Sequence, residues 1–208
     1  MKSRADLVPL AARDRPMRQV PHKITDVHEM NGSTWVIGTK CIFKQTGRRF
    51  NKTPFKLNFA EASMTLDKDV IVFDRNRILR FTGNSLTPHS LDGITEIPGA
   101  SSVTAAAVSP LGLVVSANIH GERGVYRIVN GRPVALLHTG VDRVDTMVPT
   151  EDGVAFRVHE SVVTVHGDLS KKRTHAPDIR SRVEGSLKPV DGDPSLFVLD
   201  KRARIASW

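Results

Sequence analysis

Short apolar runs, each closed by a polar turn, recur along this chain in a rhythm too quick for helix. No window of twelve residues carries convincing i, i+3, i+4, i+7 apolar spacing, while Val, Ile and Leu in short runs suit strands. The runs fall into groups. Ile24–Met30, Thr34–Gly38, Lys40–Thr46 and Phe55–Phe59 form the first, with Asn31-Gly32 as a hairpin turn whose two positions both require positive φ. The second holds Ala60–Leu66, Val70–Asp74, Ile78–Thr82 and a segment within Leu86–Ile97. In the third, Val103–Val108, Leu113–Asn118, Gly124–Val129 and Pro133–Thr139 are joined by turns at Ser109-Pro110 and Asn130-Gly131. Arg143–Val148, Val154–His159, Val162–His166 and Thr174–Pro177 form the fourth, with a turn at Glu151-Asp152-Gly153. The last group has three runs, Arg182–Pro189, Leu196–Asp200 and Arg204–Trp208, around the turn Asp191-Gly192-Asp193.

The groups repeat. Residues 72–81 read V-F-D-R-N-R-I-L-R-F and residues 198–206 read V-L-D-K-R-A-R-I-A, in each case an apolar strand ending in Asp, a basic turn, and a strand opening with Arg-Ile. Ile37, Phe73, Val115, Phe156 and Val198 mark the apolar centres, at spacings of 36, 42, 41 and 42 residues. Several strands per unit at this period form the signature of blades around an axis. The chain resembles a compact five-bladed β-propeller of divergent repeats. The missing fourth strand of the last blade is expected from Asp6-Leu7-Val8-Pro9-Leu10-Ala11, which resembles the outer strand Arg132–Leu137 and would close the ring. Residues 1–22 then form an arm and closing strand, and residues 23–208 a single all-β domain. No Trp-Asp dipeptide marks a WD40 repeat. Gly32-Ser33-Thr34-Trp35 resembles the end of an Asp-box turn, but Met30 stands where the Asp belongs. The alternative architecture is a sandwich or barrel of short strands.

Charge changes this picture more than composition does. The net charge is +8, which points to an acidic partner surface, whether nucleic acid or protein. Six cations and no acid lie between Lys40 and Lys56, and Thr46–Lys52 is expected as a loop presenting Arg48, Arg49, Phe50 and Lys52, with Lys44 and Lys56 beside it. Three roles are open to Phe50: stacking on a base among phosphate-binding cations, anchoring in a partner's pocket, or packing the loop on its own blade. Lys171-Lys172-Arg173 is expected as a second basic turn. The single Cys41, between Lys40 and Ile42, reads as a buried structural thiol.

Catalytic and metal chemistry find little purchase. No P-loop, Gly-x-Ser-x-Gly or Gly-x-Gly-x-x-Gly is present, and the eight histidines form no metal-ligand spacing. His159 and His166 lie on adjacent expected strands and can face each other. No metal, cofactor or catalytic residue is expected. The N-terminus lacks a signal-peptide core, so the expected location is a reducing cytoplasm or an assembly built there. The favoured function is a non-catalytic structural or protein-interaction module. Small propellers with irregular repeats and extended arms resemble components of phage and virus particles, which extends the expectation to a virion. Nucleic-acid binding through the basic face is the alternative, and a glycan-binding propeller a weaker one.

Overall fold

In a computed structural model, residues 24–47, 49–140, 142–144, 146–159, 161–175, 187–190, 193–199 and 204–207 are described, with backbone alone for 49, 175 and the last three stretches. Every regular element among them is a strand. The first sheet contains β1 (Ile24–Met30), β2 (Ser33–Gly38), β3 (Cys41–Thr46) and β4 (Arg49–Lys56). The second contains β5 (Ala60–Leu66), β6 (Asp69–Asp74), β7 (Arg77–Phe81) and β8 (Leu86–Pro88). In the third are β9 (Ala100–Ser109), β10 (Gly112–Ile119), β11 (Glu122–Val129) and β12 (Arg132–His138). A fourth holds β13 (Met147–Pro149), β14 (Gly153–Val158), β15 (Ser161–His166) and β16 (Lys171–His175). Three strands, β17 (Leu187–Val190), β18 (Asp193–Leu199) and β19 (Arg204–Ser207), make the last sheet.

Each sheet is an antiparallel meander in chain order, so every connection within it is a hairpin. The Asn-Gly turns form as their chemistry demands, with φ of 53° and 67° at Asn31-Gly32 and 51° and 74° at Asn130-Gly131. The first strands line up around a common centre: β1 lies beside β5, β5 beside β9, β9 beside β13, and β1 beside β17. Side chains couple these inner strands. Thr25 Oγ1 donates to the Ala60 carbonyl at 2.8 Å, and the buried His28 ring meets Ser63 Oγ at 2.8 Å and Thr65 Oγ1 at 3.1 Å.

β6 is apolar on both faces because the second sheet is covered on both sides. Val70 and Val72 of β6 pack toward the first sheet with Trp35, Ile37 and Ile42, while Ile71 and Phe73 pack toward the third with Leu113 and Val115. This sandwiching explains the unbroken run Val70–Phe73, which lacks the polar alternation of a half-exposed strand. Phe81 is an anchor between the first two sheets, edge-on to Trp35 at 4.8 Å and to Phe55 at 5.4 Å.

Ile37, Phe73, Val115 and Phe156 are all buried, as the repeat predicts, while the side chain of Val198 lies outside the described residues. Their faces differ, however. Ile37 and Phe73 point to the following sheet, whereas Val115 and Phe156 join clusters with the preceding one. A one-residue offset within a strand flips a side chain to the opposite face, so the marked residues of the first two sheets are one strand position out of register with those of the next two. The expected closing strand, residues 6–11, lies outside the described residues.

Candidate functional site

The basic segment of the first sheet is not the loop expected from sequence. Thr46 pairs with Arg49, with Gly47 (φ 61°) in the turn that follows β3, and Arg49–Lys56 is the outer strand β4. The strand expected at Phe55–Phe59 is displaced accordingly, and residues 57–59 cross to the second sheet. Phe50 is buried, which removes the base-stacking and partner-anchoring roles and leaves packing on its own sheet. Its register places it opposite Gln45, a strand position with one face toward the core. Lys44 is exposed on β3 with Nζ 5.1 Å above the Trp35 ring, and Lys52 and Lys56 are exposed on β4. Arg48 lies outside the described residues, and only the backbone of Arg49 is described.

Lys171, Lys172 and Arg173 likewise sit on an outer strand, β16, and not in a turn; the turn is residues 167–170. Lys171 and Arg173 pair with Val165 and Val163 of β15, so their stems lie over buried valines while their charged ends reach solvent. These two basic stretches belong to different sheets and do not form one continuous patch. They share a physical role: a lysine-rich outer strand discourages edge-to-edge pairing. The other outer strands use different devices, shortness and Pro88 on β8, and Pro133 with a register shift on β12.

Sequence reasoning missed a polar cleft of about 50 Å³ near the beginnings of the inner strands. Glu61 of β5, Ser102 and Thr104 of β9, Ser116 and Asn118 of β10, Arg123 of β11, and Asp142 and Arg143 ahead of β13 line it. Arg143 Nη1 donates to Glu61 Oε1 at 2.9 Å, tying the segment ahead of β13 to β5 of the second sheet. On the other wall Asp142 Oδ1 meets His159 Nε2 at 2.6 Å. Thr104 Oγ1 donates to the Val144 carbonyl at 2.7 Å and lies 3.0 Å from Ser116 Oγ. The Oδ1 atom of Asn118 is buried and has no hydrogen-bond partner among the described residues. No short motif announces this cleft because its members are spread from 61 to 143 and meet only when three sheets assemble.

The histidines separate. His159 stands at one end of the β14–β15 hairpin against Asp142, and His166 at the other end against Asp152 at 2.8 Å, so they do not face each other. Among the described residues no group of three or more His, Cys, Asp or Glu could hold a metal. Cys41 is buried on β3; burial pushes its thiol above the ordinary value, with Lys52 pulling weakly the other way.

The radial set of four-stranded meanders defines a β-propeller, and comparison with solved structures bears this out. No family model and no curated protein matches the sequence. The fold is similar to a catalytically inactive virginiamycin B lyase from Staphylococcus aureus with quinupristin, at a TM-score of 0.51 and 14% identity over 88% of this chain and 64% of that one. It is also similar to the Pan2 WD40 domain of Neurospora crassa, at a TM-score of 0.53 and 12% identity over 81% of this chain and 54% of that one. PorZ, a bacterial surface component of the type-IX secretion system of Porphyromonas gingivalis, matches at a TM-score of 0.51 and 11% identity over 95% of this chain and 26% of that one. The chain spans less than two thirds of each of these proteins. Identities this low establish the fold alone. They also correct the expectation of a non-catalytic protein, because propellers of this shape include lyases. Missing short motifs do not set a propeller apart from enzymes, since sites on this fold gather residues from several sheets.

Proposed function

We propose that β17–β19 is the fifth blade of a closed ring, completed on its outer side by residues 6–11, and that the protein is an interaction module for an acidic protein surface within a larger assembly. The adjacency of β17 and β1 supports the ring, since it brings the last sheet against the first. In that ring the last blade stands between the sheets ending in β4 and β16. The observation that carries the binding proposal is the exposure of Lys52, Lys56, Lys171, Lys172 and Arg173 on those two outer strands. A net charge of +8 adds a long-range field that speeds encounter with an acidic partner. An acidic protein is favoured over nucleic acid because burial of Phe50 leaves the β4 cations without an exposed aromatic platform for a base.

Replacing Lys52, Lys56, Lys171, Lys172 and Arg173 together with Glu tests this. The variant keeps the strand circular dichroism of the parent but no longer co-purifies with the parent's partners from the native cell. Unchanged co-purification would sink the proposal. Binding of the parent to a single-stranded oligonucleotide, steeply weakened by salt and abolished in the variant, would transfer the reading to nucleic acid.

A further inference from the structure

The turn at Asn31-Gly32 carries an inference independent of the outer-strand surface. We propose that it is a site of self-modification, where Asn31 loses its side-chain amide to become aspartate and isoaspartate, while the matching turn at Asn130-Gly131 is held back by the neighbouring sheet. The reaction consumes only water. The Gly32 backbone nitrogen attacks Asn31 Cγ, the Cγ–Nδ2 bond breaks, and ammonia leaves with the proton from the Gly32 nitrogen. A cyclic imide then joins the two residues. Water opens it at either carbonyl, giving aspartate at one and isoaspartate at the other. A glycine after the asparagine favours the first step because no side chain screens its nitrogen or restricts its backbone.

Both turns have the sequence for this chemistry, and their surroundings differ. Asn31 and Gly32 are exposed, and a Cβ added at Gly32 would meet nothing within 4 Å. The hairpin is fastened just before the turn, where Met30 pairs with Ser33 and Trp35 Nε1 donates to the Met30 carbonyl at 3.3 Å. Asn31 and Gly32 can therefore rotate into the attacking geometry with little packing to give up and without parting β1 from β2. Asn130 is exposed too, but Gly131 is half-buried, and a Cβ there would stand 3.2 Å from Ile94 Cγ2, in the segment between β8 and β9. Ile94 is itself fixed, packed on the cluster shared by the second and third sheets and bonded through its backbone to Leu91 in both directions, at 2.9 and 3.0 Å. Rotation at Asn130-Gly131 works against that neighbour, and a folded segment reacts in proportion to the population of its open form. Asn84, exposed in the bend between β7 and β8, is shielded in another way: the Ser85 amide after it donates to Thr82 Oγ1 at 3.2 Å.

Incubating the full chain at mildly alkaline pH and mapping its peptides by mass spectrometry follows both asparagines in one sample. In folded protein Asn31 is expected to convert at least about fivefold faster than Asn130, whereas in denaturant the two rates lie within about a factor of three. Isoaspartyl methyltransferase with a labelled methyl donor marks the isoaspartate product in the Asn31 peptide. Each conversion there lowers the net charge of +8 by one, so a more acidic species accumulates on ion exchange. Ile94→Ala removes the neighbour of Gly131 and should speed Asn130 severalfold while leaving Asn31 unchanged. A melting curve shows whether that variant is folded during the incubation; if it is not, the folded and denatured parent decide between them. Equal rates for Asn31 and Asn130 in the folded parent overturn the proposal, as does an Asn31 that survives folded while the denatured chain converts. A folded Ile94→Ala variant whose Asn130 reacts no faster overturns the protection assigned to the second sheet.

Discussion

Asp74 shows how one side chain ties two sheets together. Its fully buried carboxylate accepts the Asn58 amide at 2.8 Å and the Phe59 amide at 2.6 Å, and it is also ion-paired with Arg77. The amides belong to the crossover from β4 to β5, so Asp74 fixes the path by which one sheet leads to the next. Asp74→Ala leaves two N–H groups and a guanidinium without their acceptor. The expected loss is about 2–4 kcal/mol in urea unfolding, most of it from the amides because half of Arg77 is in solvent. Cys41 offers a second test at this scale. Its thiol is buried and shifted upward, so the thiolate is scarce in the folded chain at pH values where an unfolded thiol already ionises. Stability from this group is present below the unfolded pKa and declines as pH rises through the interval up to the folded one. Ellman's reagent at about pH 8 should therefore label Cys41 slowly in native protein and rapidly in denaturant. Equal rates would mean that the strand does not shield it.

Strands and their turns were largely legible because local chemistry decides them. Ile24–Met30 matches β1 at both ends, and the Asn-Gly turns needed no tertiary information. Outer strands were the weak point. Arg49–Lys56 carries cations, an Asn and a Pro, a composition that reads as loop, yet it pairs along β3 and Thr53 Oγ1 donates to the Ile42 carbonyl at 2.8 Å. An outermost strand has one bonded edge and one free, so it needs little apolar content and tolerates proline. The same reasoning converts Lys171–His175 from turn to strand. The middle strand β6 obeys the opposite demand, being covered by sheets on both faces. Phe73→Ala and Phe156→Ala, both almost wholly buried, should each cost about 3–5 kcal/mol by thermal or chemical denaturation. Losses below about 1 kcal/mol would mean that the inter-sheet clusters tolerate cavities in a way close-packed cores do not. The polar cleft was illegible for a different reason: Glu61, Asn118, Arg123 and Asp142 each look like ordinary surface positions until three sheets are brought together.

At the scale of the whole molecule the question is how the ring is held shut. Four sheets each end in an outer strand blunted by charge, proline or shortness, whereas the last sheet ends at β19 after three strands among the described residues. A three-stranded sheet with an open outer edge exposes unpaired backbone donors and acceptors, a template for joining another chain. Segment 6–11 has a composition like that of the outer strand β12, sharing a Val, an Ala, two Leu and a Pro, and under the proposed closure it occupies that edge. The ring then depends on both ends of the chain at once, since one blade would contain the first and the last strands. Deleting residues 1–12 should lower stability by several kcal/mol, because a strand's hydrogen bonds and apolar burial are lost together. The truncated protein should also self-associate through the bared edge, seen as concentration-dependent sedimentation that the full chain lacks. Adding the peptide of residues 1–12 in trans should restore the melting temperature by mass action. A truncated protein that melts with the full chain and sediments as it does would rule out closure by this segment.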